Sequence, residues 1–334
     1  RSLEDSLGAS AKLSASETAF DGGKNAALVK KSNLATEAAR ENLRATQVSM
    51  IDDADSAFYS LLEAQASVDA KASDLEAATL RLKIAQAKTE AGTLSKSDYL
   101  QSESEAASSE TALIKAKKTL ASAKAKLASL TGLPASTALE QVDFAAYESL
   151  LAKLSFLDEA SIDNLAASIA AMAKANDPGL AGYSLAKEQS KLAVAAAKAA
   201  YLPTLSAGVS QNFSFGASGF SASGSVSLSA SLSLDLWNTK NSVDNALIAA
   251  KQAELEGSAQ EQGLELDVNQ AVYEWIASAR AVSSSAKALE YAESNYENVL
   301  EKFKLSSATA SDLSTAEALV SGDRTSLITA RYAF

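Results

Sequence analysis

The chain repeats itself at an interval of 214 residues, and this repeat limits the folds open to it. Residues 52–120 align without a gap with residues 266–334, and 16 of the 69 aligned positions are identical. A short helix break lies at the same place in both copies, at 91–98 and at 306–312. A repeat of this length indicates two copies of one structural unit, so the fold must be built twice.

The first copy contains a very long stretch without helix breakers. No proline or glycine lies between residues 24 and 90, and the large apolar residues there recur mostly every six to nine positions. This spacing predicts a helix with one narrow apolar stripe. At about 1.5 Å per residue, such a helix is roughly 100 Å long. A returning helix over 97–131 follows the break and ends at Gly132 and Pro134.

Composition excludes several kinds of chemistry. The 334 residues include no cysteine and no histidine, and the net charge is −11. The chain therefore lacks a thiol nucleophile, an imidazole acid–base catalyst and the usual zinc ligands. An acidic protein also repels the phosphates of nucleic acids. We expect no catalytic residue, no metal, no cofactor and no nucleic-acid partner.

Two regions alternate with period two instead of the helical period. Residues 3–15 place leucine and alanine on one side and mostly serine on the other. Residues 205–215 and 226–236 also alternate, and the Gly- and Ser-rich segment 216–224 between them predicts a flexible turn. Strands of about 11 residues with this pattern are typical of a membrane β-barrel, although a soluble sandwich alternates too. The serine face and the scarcity of other β sequence favour the barrel.

The corner between strand and helix is repeated as well. Phe20–Asn25 (FDGGKN) has a counterpart 216 residues later in Leu236–Asn241 (LWNTKN). Each copy should therefore contain a hairpin, a long helix, a tip and a returning helix, and we expect the first copy to have lost its opening strand to truncation. The predicted segments are 1–23 (strand and corner), 24–134 (long helical hairpin), 135–179 (irregular), 180–202 (helix), 203–238 (β-hairpin) and 239–334 (second helical hairpin, also truncated).

Four short motifs resemble the outer membrane efflux protein family, the TolC-like channels of tripartite exporters. Tyr201–Leu205 (YLPTL) resembles the start of a strand in that family, and Phe20–Gly23 (FDGG) resembles its corner. Ala91–Ser95 (AGTLS) with Asp98 resembles its helix tip, and Leu130–Gly132 (LTG) its helix end. The order and spacing of these motifs extend over nearly the whole chain.

The resemblance implies a mainly α-helical fold with a β-barrel part, built from two tandem repeats of a β-hairpin and a long helical hairpin. A homotrimer would form a twelve-stranded barrel in the lipid of the bacterial outer membrane and an α-helical barrel in the periplasm. It also implies a passive channel for efflux or type I secretion, opened by a periplasmic adaptor and an inner-membrane pump. Such a conduit is not an enzyme.

The resemblance also assigns roles to residues near the two tips. Asp312 matches an acidic residue that rings the periplasmic aperture, and Thr315 stands where a second acid occurs in well-known members. The tips match the part of the family that contacts the adaptor. The tip residues are Gly92, Thr93, Leu94 and Ser95 in the first copy, and Ser306, Ser307, Ala308 and Thr309 in the second.

Local structure offers simpler roles for some of these residues. The pairs Ser95 with Asp98 and Thr309 with Asp312 both have the spacing of a helix N-terminal cap. At the strand-to-helix corners, Phe20 and Trp237 are expected to anchor the barrel at the membrane interface, with plain packing as the alternative. A coiled-coil or flagellin-like filament protein is the alternative for the whole chain, but a filament has no need of an alternating, serine-lined hairpin.

Overall fold

The computed structural model describes residues 9–134, 142–216, 219–305 and 307–334. They form two compact units. Unit 1 contains the residues up to Ala45 together with Ala173–Glu265, and unit 2 contains Thr46–Met172 together with Leu266–Phe334. The strands are β1 (Ala9–Phe20), β2 (Thr204–Gly216) and β3 (Gly219–Ser231). The α-helices are α1 (Lys24–Glu90), α2 (Lys96–Thr131), α3 (Glu148–Ser155), α4 (Glu159–Asn176), α5 (Pro178–Lys198), α6 (Leu236–Lys304) and α7 (Ala310–Ala333). A mainly helical fold with a small antiparallel sheet is confirmed.

The sheet of unit 1 has β2 in the centre, paired antiparallel with β1 and with β3. The register aligns Ala15 with Val209 and Val209 with Val226, so the apolar residues of the three strands share one face. Serines occupy the opposite face, where Ser210 and Ser225 share a hydrogen bond of 2.9 Å. Period-two alternation in three strands therefore produces one apolar face and one hydroxyl face.

The corner from β1 into α1 depends on an aspartate and a glycine. The N–H groups of Gly23 and Asn25 donate to the Asp21 carboxylate at 3.1 and 2.8 Å, which satisfies donors at the helix start. Gly22 has φ +68°, and a Cβ there would lie 2.9 Å from the carbonyl oxygen of Ala199. Only glycine fits both the backbone conformation and the space.

Unit 2 consists of helices whose cores are small and separate. The largest cluster joins α3, α4 and α6 through Leu154, Ile162 and Ile276. In a second cluster Ala57 and Leu61 of α1 pack on Leu127 of α2. Because the buried residues are often alanines, neighbouring helices share thin seams rather than one thick core.

Four predictions about element bounds were wrong. Segment 135–179 was predicted to be irregular, but its described part contains α3 and the 18-residue α4. The period-four series Ile162, Ala166 and Ala170 is buried, which gives α4 an apolar side that lies partly against α6. The helix predicted over 180–202 begins earlier, at Pro178, because Asp177 caps α5 and Pro178 lies in its first turn.

The third wrong prediction is the flexible turn over 216–224. Residues from Gly219 onward belong to β3, and the pair Phe215–Phe220 continues the register up to Gly216 and Gly219. Phe220, Ala222 and Val226 are even-numbered, so they already fit the alternating apolar pattern of β3. The glycines and serines between them favoured a turn instead. The strand also ends at Ser231, and α6 begins at Leu236 rather than at 239.

Candidate functional site

The first tip is a tight five-residue connection between α1 and α2. Gly92 adopts φ +69°, and the N–H groups of Thr93 and Leu94 donate to the Lys88 carbonyl at 2.9 and 3.2 Å. Ser95 then caps α2, because its hydroxyl oxygen accepts the N–H of Asp98 at 3.1 Å. The tip is thus closed by its own backbone, and Gly92, Thr93 and Ser95 are exposed.

The second tip, between α6 and α7, ends in a reciprocal capping box. The N–H of Asp312 donates to the Thr309 hydroxyl at 3.1 Å, and the N–H of Thr309 donates to the Asp312 carboxylate at 2.9 Å. The Thr309 backbone N–H and then its hydroxyl, which donates to the same carboxylate at 2.7 Å, hold the pKa of the Asp312 carboxyl below its ordinary value. Ser306, the first residue of this tip, lies outside the described residues.

A cleft of about 570 Å³ lies beside the second tip in unit 2. Asp312 and Thr315 line it together with Ser307 and Ala308, so the structure brings the two predicted aperture residues and two of the predicted tip residues to one surface. The hydroxyl of Thr315 donates to the Ser311 carbonyl at 2.8 Å, within its own helix. Asp312 and Lys302 are the charged groups that line this cleft.

The charged network nearest the core of unit 2 was not predicted from the sequence. Arg81 of α1 is only 4 % exposed, and its guanidinium forms ion pairs with Glu105 of α2, at 2.5 Å, and with Glu317 of α7. The sequence did contain a signal, because Arg81 continues the buried series Ala78, Arg81 and Ala85 at helical spacing. A charge on an inward face requires partners, and two carboxylates provide them.

A second group of ions lies beside this one. The Asp74 carboxylate accepts from Lys71 at 3.0 Å and from the Ser321 hydroxyl at 2.6 Å. Arg324 bridges Asp74, at 3.7 Å, and Glu293 of α6, at 3.2 Å. Both groups line one cavity of about 560 Å³. Four helices, α1, α2, α6 and α7, are thus joined by polar contacts where their apolar seams are thin.

Burial affects the carboxylate at the centre of this network. Burial raises the pKa of the Glu317 carboxyl above its ordinary value, and the nearby Arg81 opposes this shift. Glu105 and Asp74 raise it further, because they carry the same charge. One buried arginine faces two glutamates, so an excess negative charge remains in a partly buried environment.

The strands present their side chains on an unusually open surface. Leu13, Val226 and Leu228 on the apolar face are 72 %, 83 % and 81 % exposed. Phe215 and Phe220 pack against each other at the hairpin end, with 4.9 Å between ring centroids. At the corners, Phe20 is partly exposed and Trp237 is largely exposed.

The amino-acid sequence matches a known protein family. The sequence model of the outer membrane efflux proteins matches residues 4–133 and 169–334, which is most of the chain. The chain belongs to the outer membrane efflux protein family. A search of curated protein sequences found no match.

Solved structures of channels in this family share the fold. The outer-membrane channel OprN aligns with a TM-score of 0.80 and 16 % identity, over 98 % of this chain and 78 % of its own. VceC of Vibrio cholerae aligns at 0.79 and 14 %, over 98 % and 84 %. The CmeC channel of Campylobacter jejuni aligns at 0.79 and 13 %, over 98 % and 74 %. These identities are low, so the likeness concerns the fold alone.

Family membership supports the channel hypothesis over the filament hypothesis and over an enzyme, since the family and its structural neighbours are outer-membrane channels. Among the described residues, no helix has an apolar run long enough to cross a bilayer. The same residues contain no cluster of three acidic side chains placed to hold a metal ion.

Proposed function

We propose that this chain is the protomer of a trimeric outer-membrane exit duct, a passive conduit that a periplasmic adaptor and an inner-membrane pump open. The observation that carries the proposal is the sheet, which has one apolar face and one serine face and is open on both. An apolar sheet face that nothing in unit 1 covers needs another apolar phase, and lipid is one. The serine face suits a water-filled lumen.

The edges of the sheet support assembly from several copies. In the described sheet, β1 and β3 each have one unpaired edge, because only β2 is paired on both sides. A bilayer contains no water to satisfy these backbone groups, so a spanning sheet must close into a barrel. Three copies with four strands each, as the family resemblance implies, would close a barrel of twelve strands.

The long helices also carry apolar side chains that the chain itself leaves uncovered. Several of those on α1 and α6 are more than half exposed. Helices of neighbouring copies packed side by side would cover them, with the other side facing water. Examples are Val29, Leu43, Met50 and Ile51 on α1, and Ile248 and Leu255 on α6.

Within this duct the two tips would have different roles. The first tip is closed by its own hydrogen bonds and presents Thr93 and Ser95 outward, which suits contact with an adaptor. The second tip presents Asp312 beside a cleft, and three such carboxylates around an axis would repel one another and attract cations. Asp312 is thus proposed as the aperture residue in addition to its cap. Phe20 and Trp237 are proposed as interfacial anchors.

A matched pair of variants in β3 tests the orientation of the sheet. Val226→Lys places a charge on the proposed lipid face and should weaken membrane insertion by about 2–4 kcal/mol if it lies near the midplane. Ser227→Lys, the next residue along, points to the opposite face and should be tolerated. The measurement is the yield of heat-resistant trimer after detergent extraction, with mass determined in the detergent. Equal yields for the two variants, or a water-soluble monomer, contradict the proposal.

Site-specific crosslinking tests the proposed partners. A photoreactive residue at Thr93 or at Ser307 should capture a periplasmic adaptor in cells, since both positions lie at the tips. The same residue at Ser227 should capture none, because that position would face the lumen. Adaptor capture from Ser227 but not from Thr93 would reverse the assignment of the two ends.

A further inference from the structure

The serine face of the sheet carries one charged residue among its described strands. Lys12 of β1 is aligned with Asn212 of β2, which is aligned with Ser223 of β3. The rows on either side on the same face consist of serine: Ser10 with Ser214 and Ser221, and Ser14 with Ser210 and Ser225. The other charged residue of the three strands, Glu17, is aligned with Ala207 and therefore lies on the apolar face.

The surroundings of Lys12 leave its charge unneutralised. Within the described residues Lys12 forms no ion pair and its side chain is exposed. The residues aligned with it, Asn212 and Ser223, have an amide and a hydroxyl group. These groups can accept hydrogen bonds from the ammonium group but do not neutralise its charge. The net charge of the chain is −11, so the charge of Lys12 is opposite in sign to the net charge of the protein.

We propose that Lys12 determines the charge selectivity of the conduit and favours anionic substrates. This inference rests on the proposed function, because three copies are needed to turn one lysine into a ring. Rings of Lys or Arg make pores selective for anions. Changes on the lumen side of a membrane barrel alter selectivity rather than insertion.

The size of a twelve-stranded barrel sets the range of the effect. Strands about 4.8 Å apart and tilted by about 40° give a backbone radius near 12 Å. The Debye length is about 30 Å at 0.01 M salt but only about 3 Å at 1 M. The lysine ring should therefore act on ions at the axis in dilute salt and lose its influence in concentrated salt.

The test is the reversal potential of reconstituted channels under a KCl gradient. Lys12→Gln should lower the anion-to-cation permeability ratio by about two-fold near 0.01 M salt, with little change near 1 M. Lys12→Glu should lower it further, and Lys12→Arg should match the unmodified protein. Lys12→Thr provides a second neutral variant that suits a strand. The series is repeated in an Asp312→Ala background, because carboxylates at the aperture favour cations.

The control is Glu17→Gln on the same strand. It also changes one charge per protomer, but on the apolar face, so the permeability ratio should stay the same. Channels that form and keep their selectivity in all Lys12 variants overturn the inference and leave the proposed function intact. A shift with Glu17→Gln and none with Lys12→Gln overturns it as well, because the wrong face would then be the lumen. A protein that forms no channel at all refutes both.

Discussion

Replacing Arg81 tests whether the buried ion network stabilises the contact between α1, α2 and α7. Arg81→Met keeps a long side chain but removes the charge that Glu105 and Glu317 share. Removing one partner of a buried ion pair costs about 3–5 kcal/mol, because the other partner stays charged and dry. The two glutamates keep side-chain exposures of 26 % and 17 %, so we expect the lower end of that range, about 3 kcal/mol.

The loss should depend on pH, and the sign follows from Glu317. Its pKa is raised by burial, so the folded state binds the proton more tightly than the unfolded state. The associated stability is complete below the ordinary pKa, 4.5, and is lost as pH rises through the folded pKa. Without Arg81 the pKa rises further. The difference between Arg81→Met and the unmodified protein should be small in acid and reach its full size at neutral pH.

The assay is thermal unfolding in detergent, followed by the helical circular dichroism signal at several pH values. For a chain of this size about 3 kcal/mol corresponds to a Tm lower by roughly 4 °C. Glu105→Gln is the matched control, because it leaves Arg81 facing one carboxylate and should change stability by about 1 kcal/mol or less. Adding Glu317→Gln to Arg81→Met should recover part of the loss at neutral pH.

A loss of stability that is equal in acid and at neutral pH would refute this reasoning, because it would indicate lost packing rather than unpaired charge. A loss confined to neutral pH that Glu317→Gln does not reduce would place the unpaired charge elsewhere in the network, with Asp74 as the next residue to test.

Further predictions concern the corner and the second tip. Gly22→Ala should lower Tm more than Gly23→Ala. Both glycines have a positive φ, so each variant should lose about 1 kcal/mol of stability, but only Gly22 also faces the Ala199 carbonyl. Asp312→Ala should raise single-channel conductance, whereas Thr309→Ala, which removes the cap hydroxyl but keeps the carboxylate, should not; equal increases would leave the cap as the explanation. Because the pKa of Asp312 is lowered in the folded state, its cap stabilises α7 at pH values above the ordinary pKa of an aspartate. This stabilisation is lost as the pH falls through the lowered pKa, and faster amide hydrogen exchange in the first turn of α7 should show the loss.

Much of the fold could be predicted because its signals are local. The stretch without proline or glycine from Lys24 to Glu90 is one helix, and Gly92 interrupts it where the backbone needs a positive φ. The spacing of Thr309 and Asp312 is itself the geometry of a cap, so their hydrogen bonds follow from neighbouring residues alone. Strand alternation likewise depends only on the two-residue period of extended backbone.

The sequence by itself thus determined the repeat, the long helices, the two tips and the two-faced strands, since each depends on residues close together in the chain. Only the tertiary structure showed that Arg81, Glu105 and Glu317 meet, because they lie on three helices separated by up to 236 positions. It also decided that Lys12 shares a face with Asn212 and the serines, since register is a property of paired strands and not of one strand. Charges acquire partners, or remain without them, only when distant segments are brought together.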